Sequence, residues 1–331
     1  MSKANTSKTN PSRLEKLVVY GFLWSSCACN KYCLKHSFGE QAMEPRISTA
    51  EIIRQLEYPP SNKFPCEAME AAMERKEEIT PYLLKLLETL NQTDAVDDEY
   101  WGHLAALYLL AYFREQTAFP LIVELLSRDD DQLELLLGDA ITEGIPQVLA
   151  STCDGNIEWL VKGAERSDLS DWARVAFLDA LKPLYGDNQL SRSEIEGYLR
   201  LAFRERRFGD NQLVNSMAAN LAIDLKLSGL EEELRDAFCN DQFDESLVND
   251  AAINSMVSAP DFVTPESIKA RRGNHLINRE DVFSMSNWFD SPGLIQMNGF
   301  DYNFTRTDKT KEIRQKKKKK RKAIKLQRRK N

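Results

Sequence analysis

From Ser48 onward, apolar residues recur three and four positions apart, which places them on one face of an α-helix. Four such stripes are Leu83, Leu86, Leu87 and Leu90; Leu104, Leu107, Tyr108 and Ala111; Phe119, Ile122, Val123 and Leu126; and Val214, Met217, Ala218, Leu221 and Leu225. We find no run of strict alternation between apolar and polar residues. The pattern predicts an all-α body of short helices, each with one apolar face.

Turn and capping residues mark where these helices begin and end. Ser48 to Glu51 and Ser191 to Glu194 have capping-box spacing, in which the serine hydroxyl and the glutamate carboxylate each satisfy a free amide. Thr80-Pro81 predicts another helix start, with the proline at the first helical position. The sequence Gly-Asp-Asn-Gln-Leu occurs at 186–190 and at 209–213. We interpret both copies as helix-ending turns, with glycine at positive φ and Asp or Asn capping the next helix.

The helices come in pairs. The first helix of each pair is predicted to start near Cys66, Trp101, Gln132, Trp172, Gln212 and Glu245. A pair with one apolar face cannot bury that face alone, so pairs recurring every roughly 30 to 45 residues stack side by side. We expect a HEAT- or armadillo-like α-solenoid over residues 43–260, an irregular capping segment over 261–307, and disordered termini.

Residues 1–42 have two explanations. Basic residues precede a short apolar run from Leu17 to Trp24, which resembles a signal peptide, although no small-x-small cleavage site follows. Alternatively, Met43 is the true start, because the organised pattern begins directly after it. We therefore expect this segment to be a poorly ordered leader or a mis-assigned start. The apolar run is shorter than the roughly 18 to 20 residues that a membrane span needs.

Charge is divided sharply along the chain. Of the 44 Lys and Arg residues, 14 lie between Lys309 and Lys330, and Asp308 and Glu312 are the acids nearby, so this segment carries a net +12. Residues 1–307 hold the remaining 30 basic and 49 acidic residues, a net charge of −19. Residues 308–331 therefore form a polybasic tail that we expect to be disordered when free.

The tail is the strongest functional signal in the sequence. Its candidate contact residues are Arg314, Lys316, Lys317, Lys318, Lys319, Lys320, Arg321, Lys322, Lys325, Arg328, Arg329 and Lys330. Such a run can release counterions from a phosphate backbone, and it also resembles lysine-rich nuclear localisation signals. A third interpretation is a tail that folds back on the acidic body. The expected partners of the tail are nucleic acid or a nuclear import receptor.

Cysteine and histidine give little support for metal or acid–base chemistry. Cys27, Cys29, Cys33 and His36 offer ligands that zinc prefers, but all four must converge within ten residues, so incidental cysteines are the alternative. His103, on a repeat helix, is expected to have a structural role. The remaining three cysteines, Cys66, Cys153 and Cys239, are expected to be small buried apolar residues.

The sequence gives no catalytic motif. It contains no glycine-rich phosphate loop, no G-x-S-x-G elbow and no H-E-x-x-H. The acidic runs at 97–99 and 129–131 precede predicted helices, where they would face the positive end of the helix dipole. We therefore expect a protein that is not an enzyme and that needs no cofactor.

Three phrases carry a family resemblance. They are Lys63 to Pro81, Leu149 to Glu158, and Leu190 to Arg200. On these phrases the stretch from Met43 to Glu205 resembles the uncharacterised bacterial family called domain of unknown function 1186. The resemblance implies HEAT-type helical repeats and no known activity. Some members end in a cysteine-rich zinc-binding tail, whereas residues 300–331 contain no cysteine.

The combined features favour a non-catalytic binding protein. Its solenoid surface would bind a protein or peptide, and its basic tail would contact nucleic acid or an import receptor. A bacterial-type solenoid with an import-like signal suggests a secreted effector acting in a host nucleus. One alternative is a housekeeping protein of the bacterial cytoplasm that contacts RNA. Another is an enzyme whose site the sequence does not reveal.

Overall fold

The structure is a computed structural model that describes residues 47–60, 63–93, 100–258 and 263–290. Within these ranges the regular elements are helices, so the predicted all-α class is confirmed. The leader 1–42, the tail 308–331 and the acidic run at 97–99 lie outside the described residues. The candidate ligands Cys27, Cys29, Cys33 and His36, and all the candidate contact residues of the tail, lie outside them too.

The helices fall into three groups along the chain. Those of the first third are α1 (Thr49–Glu57), α2 (Cys66–Glu74), α3 (Lys76–Asn91), α4 (Gly102–Tyr112), α5 (Ala118–Leu126) and α6 (Asp130–Leu136). Those of the middle are α7 (Ala140–Glu143), α8 (Ile145–Thr152), α9 (Ile157–Glu165), α10 (Asp171–Asp179), α11 (Leu181–Gly186), α12 (Arg192–Arg204) and α13 (Gln212–Asp224). The last are α14 (Glu231–Cys239), α15 (Asp250–Ser258), α16 (Pro265–Lys269), α17 (Arg279–Ser284) and α18 (Ser286–Asp290).

A row of helices in successive contact runs through the body. α4 packs against α8, α8 against α10, α10 against α13, and α13 against α15. Most of these helices also pack against a neighbour in sequence: α3 against α4, α9 against α10, α12 against α13, and α14 against α15. Helices therefore pair locally, and successive pairs contact one another through the row.

Two helices of this row are buried on every side. In α4, every residue from Gly102 to Ala111 is buried, and in α8 every residue from Ile145 to Thr152 is buried. The prediction of a single apolar stripe on α4 was too narrow, because other elements cover this helix on all sides. In the part of the chain that the structure describes, no helix combines the length and the apolar character that crossing a membrane requires.

The predicted helix starts are confirmed in part. At Ser191 the full capping box forms, with Glu194 accepting from the Ser191 amide at 2.8 Å. Ser48 accepts from the Glu51 amide at 3.2 Å, but the Glu51 carboxylate pairs with Arg54 instead of turning back. The second half of that box was therefore predicted wrongly, because a guanidinium one turn ahead is the stronger partner for a carboxylate.

The start predicted at Thr80-Pro81 is wrong. α3 begins at Lys76 and continues through Pro81, and the Thr80 hydroxyl donates to the Lys76 carbonyl at 2.8 Å. Pro81 is exposed, so the carbonyl that lacks its amide partner can face water. Burial of Ile79 and Leu83 on the opposite side keeps the helix continuous across the proline.

After α15 the chain returns along the body. We call residues 263–290, which contain α16, α17 and α18, the strap. α16 packs against α11, and α17 packs against α4, which precedes it by more than half of the chain. The irregular stretch that was expected to cap the last repeat thus contacts the middle and the beginning of the body.

Candidate functional site

Side chains of the body hold the strap by its main chain. On α8, the Gln147 amide nitrogen donates to the His275 carbonyl at 2.9 Å, and Ser151 Oγ accepts from the Ile277 amide at 2.9 Å. We call the body residues that hold the strap, Glu70, Gln147, Ser151, Tyr185 and Asp187, the strap-binding surface.

Two members of the strap-binding surface lie at or just after α11. The Tyr185 hydroxyl donates to the Val263 carbonyl at 2.6 Å. Asp187 Oδ2 accepts from the Leu276 amide at 2.8 Å. Residues 276–278 have no secondary structure of their own, so the bonds at Leu276 and Ile277 replace those that a helix or sheet would supply.

Burial makes these contacts important. The exposed fraction is 5% for Gln147 and 3% for Ser151. A buried polar group without a partner costs roughly 1 to 3 kcal/mol. Because both buried side chains bond to main-chain groups of the strap, this part of the surface is suited to hold a polypeptide main chain.

The first Gly-Asp-Asn-Gln-Leu copy is part of this surface. A Cβ on Gly186 would lie 2.5 Å from the Asn274 carbonyl oxygen, so only glycine lets the strap approach this closely. The positive φ falls on Asn188, at 56°, and not on Gly186. The turn after α11 was predicted correctly, but the predicted positive φ of its glycine was wrong, since Gly186 instead lets the strap approach closely. Ser191, and not Asp187 or Asn188, caps the next helix, and Asp187 contacts the strap.

The second copy behaves as predicted. Gly209 has a φ of 66°, and the Asn211 side chain caps α13 by accepting from the Val214 amide at 3.0 Å. This turn borders an open polar cavity of about 540 Å³ that Asp171 also lines. Identical pentapeptides thus have different roles because only the first lies under the strap.

Apolar and aromatic side chains anchor the strap. Ile277 and Val282 are fully buried, and Met285 is nearly so. Aromatic rings of the strap pack edge to face on aromatic rings of the body. The ring centres of Phe283 and Phe64 are 5.9 Å apart, and those of Trp288 and Tyr108 are 5.8 Å apart. Burial of each large side chain contributes roughly 1.5 to 3 kcal/mol, so these anchors provide most of the hold.

Ion pairs border these apolar anchors, with the basic partner on the strap. Lys269 pairs with Asp187, and Arg279 pairs with Glu70 of α2. The Arg279 guanidinium also lies 4.9 Å from the centre of the Phe283 ring. Basic strap residues therefore face acidic body residues at two separate positions.

The strap also has internal order. The Asn278 side chain accepts from the amides of Glu280 and Asp281, and the Asp281 carboxylate accepts from the Asn278 amide at 2.9 Å, which completes a capping box for α17. His275 Nε2 lies 3.0 Å from the same carboxylate. This local network fixes the bend between the extended part of the strap and α17.

A polar cavity of about 370 Å³ lies beside the strap. Glu143, Asp179 and Lys182 line it from the body, and Arg272 lines it from the strap. Lys182 lies 3.0 Å from both Asp179 and Asp224. Burial raises the pKa of Glu143 above its ordinary value, and the positive charge of Arg272 offsets part of that shift. The cavity contains both signs of charge, and its cations and anions balance each other.

The structure places several side chains singled out in the sequence away from this surface. His103 is buried, and its Nε2 lies 2.6 Å from the Leu136 carbonyl; burial lowers its pKa to about 4. Cys153 is buried as expected, whereas Cys66 is only partly buried and Cys239 is exposed, so the prediction was wrong for these two. Asp129 caps α6 through the Gln132 amide at 2.9 Å, as expected.

Sequence reasoning missed the strap-binding surface. The available signals were polar residues on an otherwise apolar helix, Gln147 and Ser151, and an aliphatic pair, Leu276-Ile277, just before a capping box. Ser151 also lies within the second of the three phrases that carried the family resemblance, Leu149 to Glu158. The partners are separated by 128 and 126 positions, so no local pattern relates them.

Comparisons with known proteins place the chain in a family. Two relatives, uncharacterized proteins of Chlamydia trachomatis serovar D and Chlamydia muridarum, are each 39% identical to the chain over 149 residues, which is 44% of this chain and 59% of each relative. The chain thus matches less than two thirds of their length. No solved structure matches. The model of the family described as protein of unknown function, DUF1186, matches residues 47–291, which include the whole strap, and the chain belongs to this family.

Proposed function

We propose that this chain is a non-catalytic binding protein, a HEAT-like α-solenoid that binds an extended polypeptide on its strap-binding surface. The chain of contacts from α4 through α8, α10 and α13 to α15, with paired neighbours, supports the solenoid arrangement. The observation that carries the binding function is the set of buried side chains, Gln147 and Ser151 foremost, that bond to the main chain of the strap.

Main-chain recognition favours a polypeptide ligand. The two hydrogen bonds on α8 use the main-chain carbonyl of His275 and the main-chain amide of Ile277, two positions later. Main-chain carbonyls and amides are groups that peptides of any sequence offer. Recognition of an extended chain commonly combines main-chain hydrogen bonds for affinity with side-chain pockets for specificity. Here the buried Ile277 supplies the pocket contact.

Binding in trans requires the strap to move away. A tethered segment competes at an effective concentration of order millimolar, so a free peptide must overcome the strap to bind. Weakening the strap anchor Ile277 therefore exposes the surface without changing any of its own residues.

The test uses the full chain carrying Ile277→Asp and a fluorescein-labelled peptide of residues 271–290 with the native sequence. We expect fluorescence anisotropy to show saturable binding to this variant and at least about tenfold weaker binding to the unchanged chain. A Leu276→Ala chain serves as the milder variant if Ile277→Asp does not fold. Addition of Gln147→Ala and Ser151→Ala should remove the binding. Absence of binding to a folded variant would refute the proposal.

A second proposal concerns the basic tail. Fourteen basic residues between Lys309 and Lys330 support a role in contacting nucleic acid or a nuclear import receptor. An effector acting in a host nucleus requires the second partner, and a protein of the bacterial cytoplasm that touches RNA requires the first.

Two measurements separate these tail functions. Binding of duplex RNA by the full chain should weaken steeply with salt, and replacing Lys316 to Lys322 with glutamine should reduce the slope in a plot of log affinity against log salt. For import, a fluorescent reporter fused to residues 308–331 should accumulate in the nuclei of animal cells. A diffuse reporter together with a salt-sensitive slope would favour RNA, and failure of both would exclude the tail function.

A further inference from the structure

The strap shows which side chains a partner would need. Its basic residues Lys269 and Arg279 pair with Asp187 and Glu70 at the two acidic positions of the strap-binding surface. Between them, the adjacent Leu276 and Ile277 are 8% and 0% exposed. Along the bound chain, the body therefore offers an acidic site for Lys269, then an apolar site for Leu276 and Ile277, and then a second acidic site for Arg279.

We infer that the strap is an internal competitor for a partner segment of the same chemistry: an extended segment with two adjacent aliphatic residues and an arginine or lysine two positions after the second. This inference rests on the proposed function and specifies its ligand. Residues 1–307 carry a net charge of −19, which favours a ligand that presents basic rather than acidic side chains to the body.

Position 279 is the sharpest specificity determinant. Arg279 both pairs with Glu70 and packs on Phe283, while the side chains of Glu70 and Arg279 are 35% and 51% exposed. Because the pair lies at the rim, its charges can be exchanged without leaving a buried charge unpaired. Reversal of the charge of either partner alone should weaken binding of the ligand, and reversal of both charges should restore binding.

The experiment compares two labelled peptides on the same protein, so the competing strap affects both equally and cancels from their ratio. The peptides are residues 271–290 with the native sequence and with Arg279→Glu, and the protein is the full chain carrying Ile277→Asp. We expect the native peptide to bind at least about fivefold more tightly. With Glu70→Arg added to the protein, the preference should invert. Glu74→Arg, an exposed position on the same helix α2, is the matched control and should leave the ratio unchanged.

The outcomes separate this inference from the proposed function. If both peptides bind and their ratio does not respond to Glu70→Arg, the ligand class is wrong while polypeptide binding stands. If Glu74→Arg shifts the ratio as much as Glu70→Arg does, the preference is a general charge effect and the specific pairing is refuted. If neither peptide binds a folded protein, the proposed function itself fails. The Leu276→Ala chain replaces Ile277→Asp where the latter does not fold.

Discussion

The main-chain amide of Ile277 donates to the hydroxyl oxygen of Ser151, 126 positions earlier in the chain. Both residues are buried, with exposed fractions of 0% and 3%. The bond joins the extended part of the strap to the middle of the helix row, where water cannot replace a missing partner.

Ser151→Ala should therefore destabilise the fold. Removal of the hydroxyl leaves the Ile277 amide buried and unsatisfied, which costs roughly 1 to 3 kcal/mol of unfolding free energy. Ser127→Ala is the matched control, because the Ser127 hydroxyl is exposed and bonds only to the Val123 carbonyl of its own helix. Urea denaturation would measure both, and equal losses would contradict the role assigned to Ser151.

Two glycine substitutions should have opposite effects. In Gly186→Ala the new methyl group would collide with the Asn274 carbonyl, so the strap must shift and stability should fall by roughly 1 to 3 kcal/mol. In Gly197→Ala, within α12, the methyl group meets nothing within 4 Å, and the better helix former should raise stability by about 0.5 to 1 kcal/mol. Thermal unfolding distinguishes them, and a stabilising Gly186→Ala would show that the strap does not lie where the structure has it.

The buried imidazole of His103 should make stability depend on pH. Burial lowers its pKa to about 4 in the fold, below the ordinary value of about 6.5, so the unfolded chain takes up a proton at a higher pH than the folded one. The stabilising contribution is present above pH 6.5 and is lost as the pH falls toward 4. Between pH 7 and pH 5 the chain should lose about 2 kcal/mol more than His103→Gln does. Equal losses in the two proteins would mean that His103 titrates normally.

The two cysteines of the body that carry free thiols should differ in reactivity. Burial raises the pKa of the Cys153 thiol to about 11, and Cys239 is exposed at the end of α14. A maleimide at pH 8 should label Cys239 within minutes and label Cys153 only in denaturant, because the thiolate is the reacting species. Peptide mass mapping would report each site, with Cys239→Ser as the control. Labelling of Cys153 in the native state would reveal local opening around α8.

The all-α class and most helix positions could be predicted from the sequence, because they depend on the spacing of apolar and capping residues within one or two helical turns. The box at Ser191 is local and formed as expected, whereas the carboxylate of Glu51 had a competing arginine that spacing alone does not rank. Pro81 misled the prediction because burial of Ile79 and Leu83 outweighs a lost bond at an exposed carbonyl. The candidate site could not be predicted at all, because Gln147, Ser151 and Asp187 form a site only through contacts with a segment that is distant in the sequence.

The return path of the chain also determines how short a fragment can be made. A protein cut after Ser258 would keep every helix of the central row, yet Gln147 and Ser151 would lose their strap partners, and Phe64 and Tyr108 would lose the strap rings that pack on them. Such a fragment should aggregate, or bind detergents and hydrophobic dyes, although it contains all the helix pairs of the predicted solenoid. We therefore expect the minimal autonomous unit to extend to Asp290, and deletion series should be designed from that end.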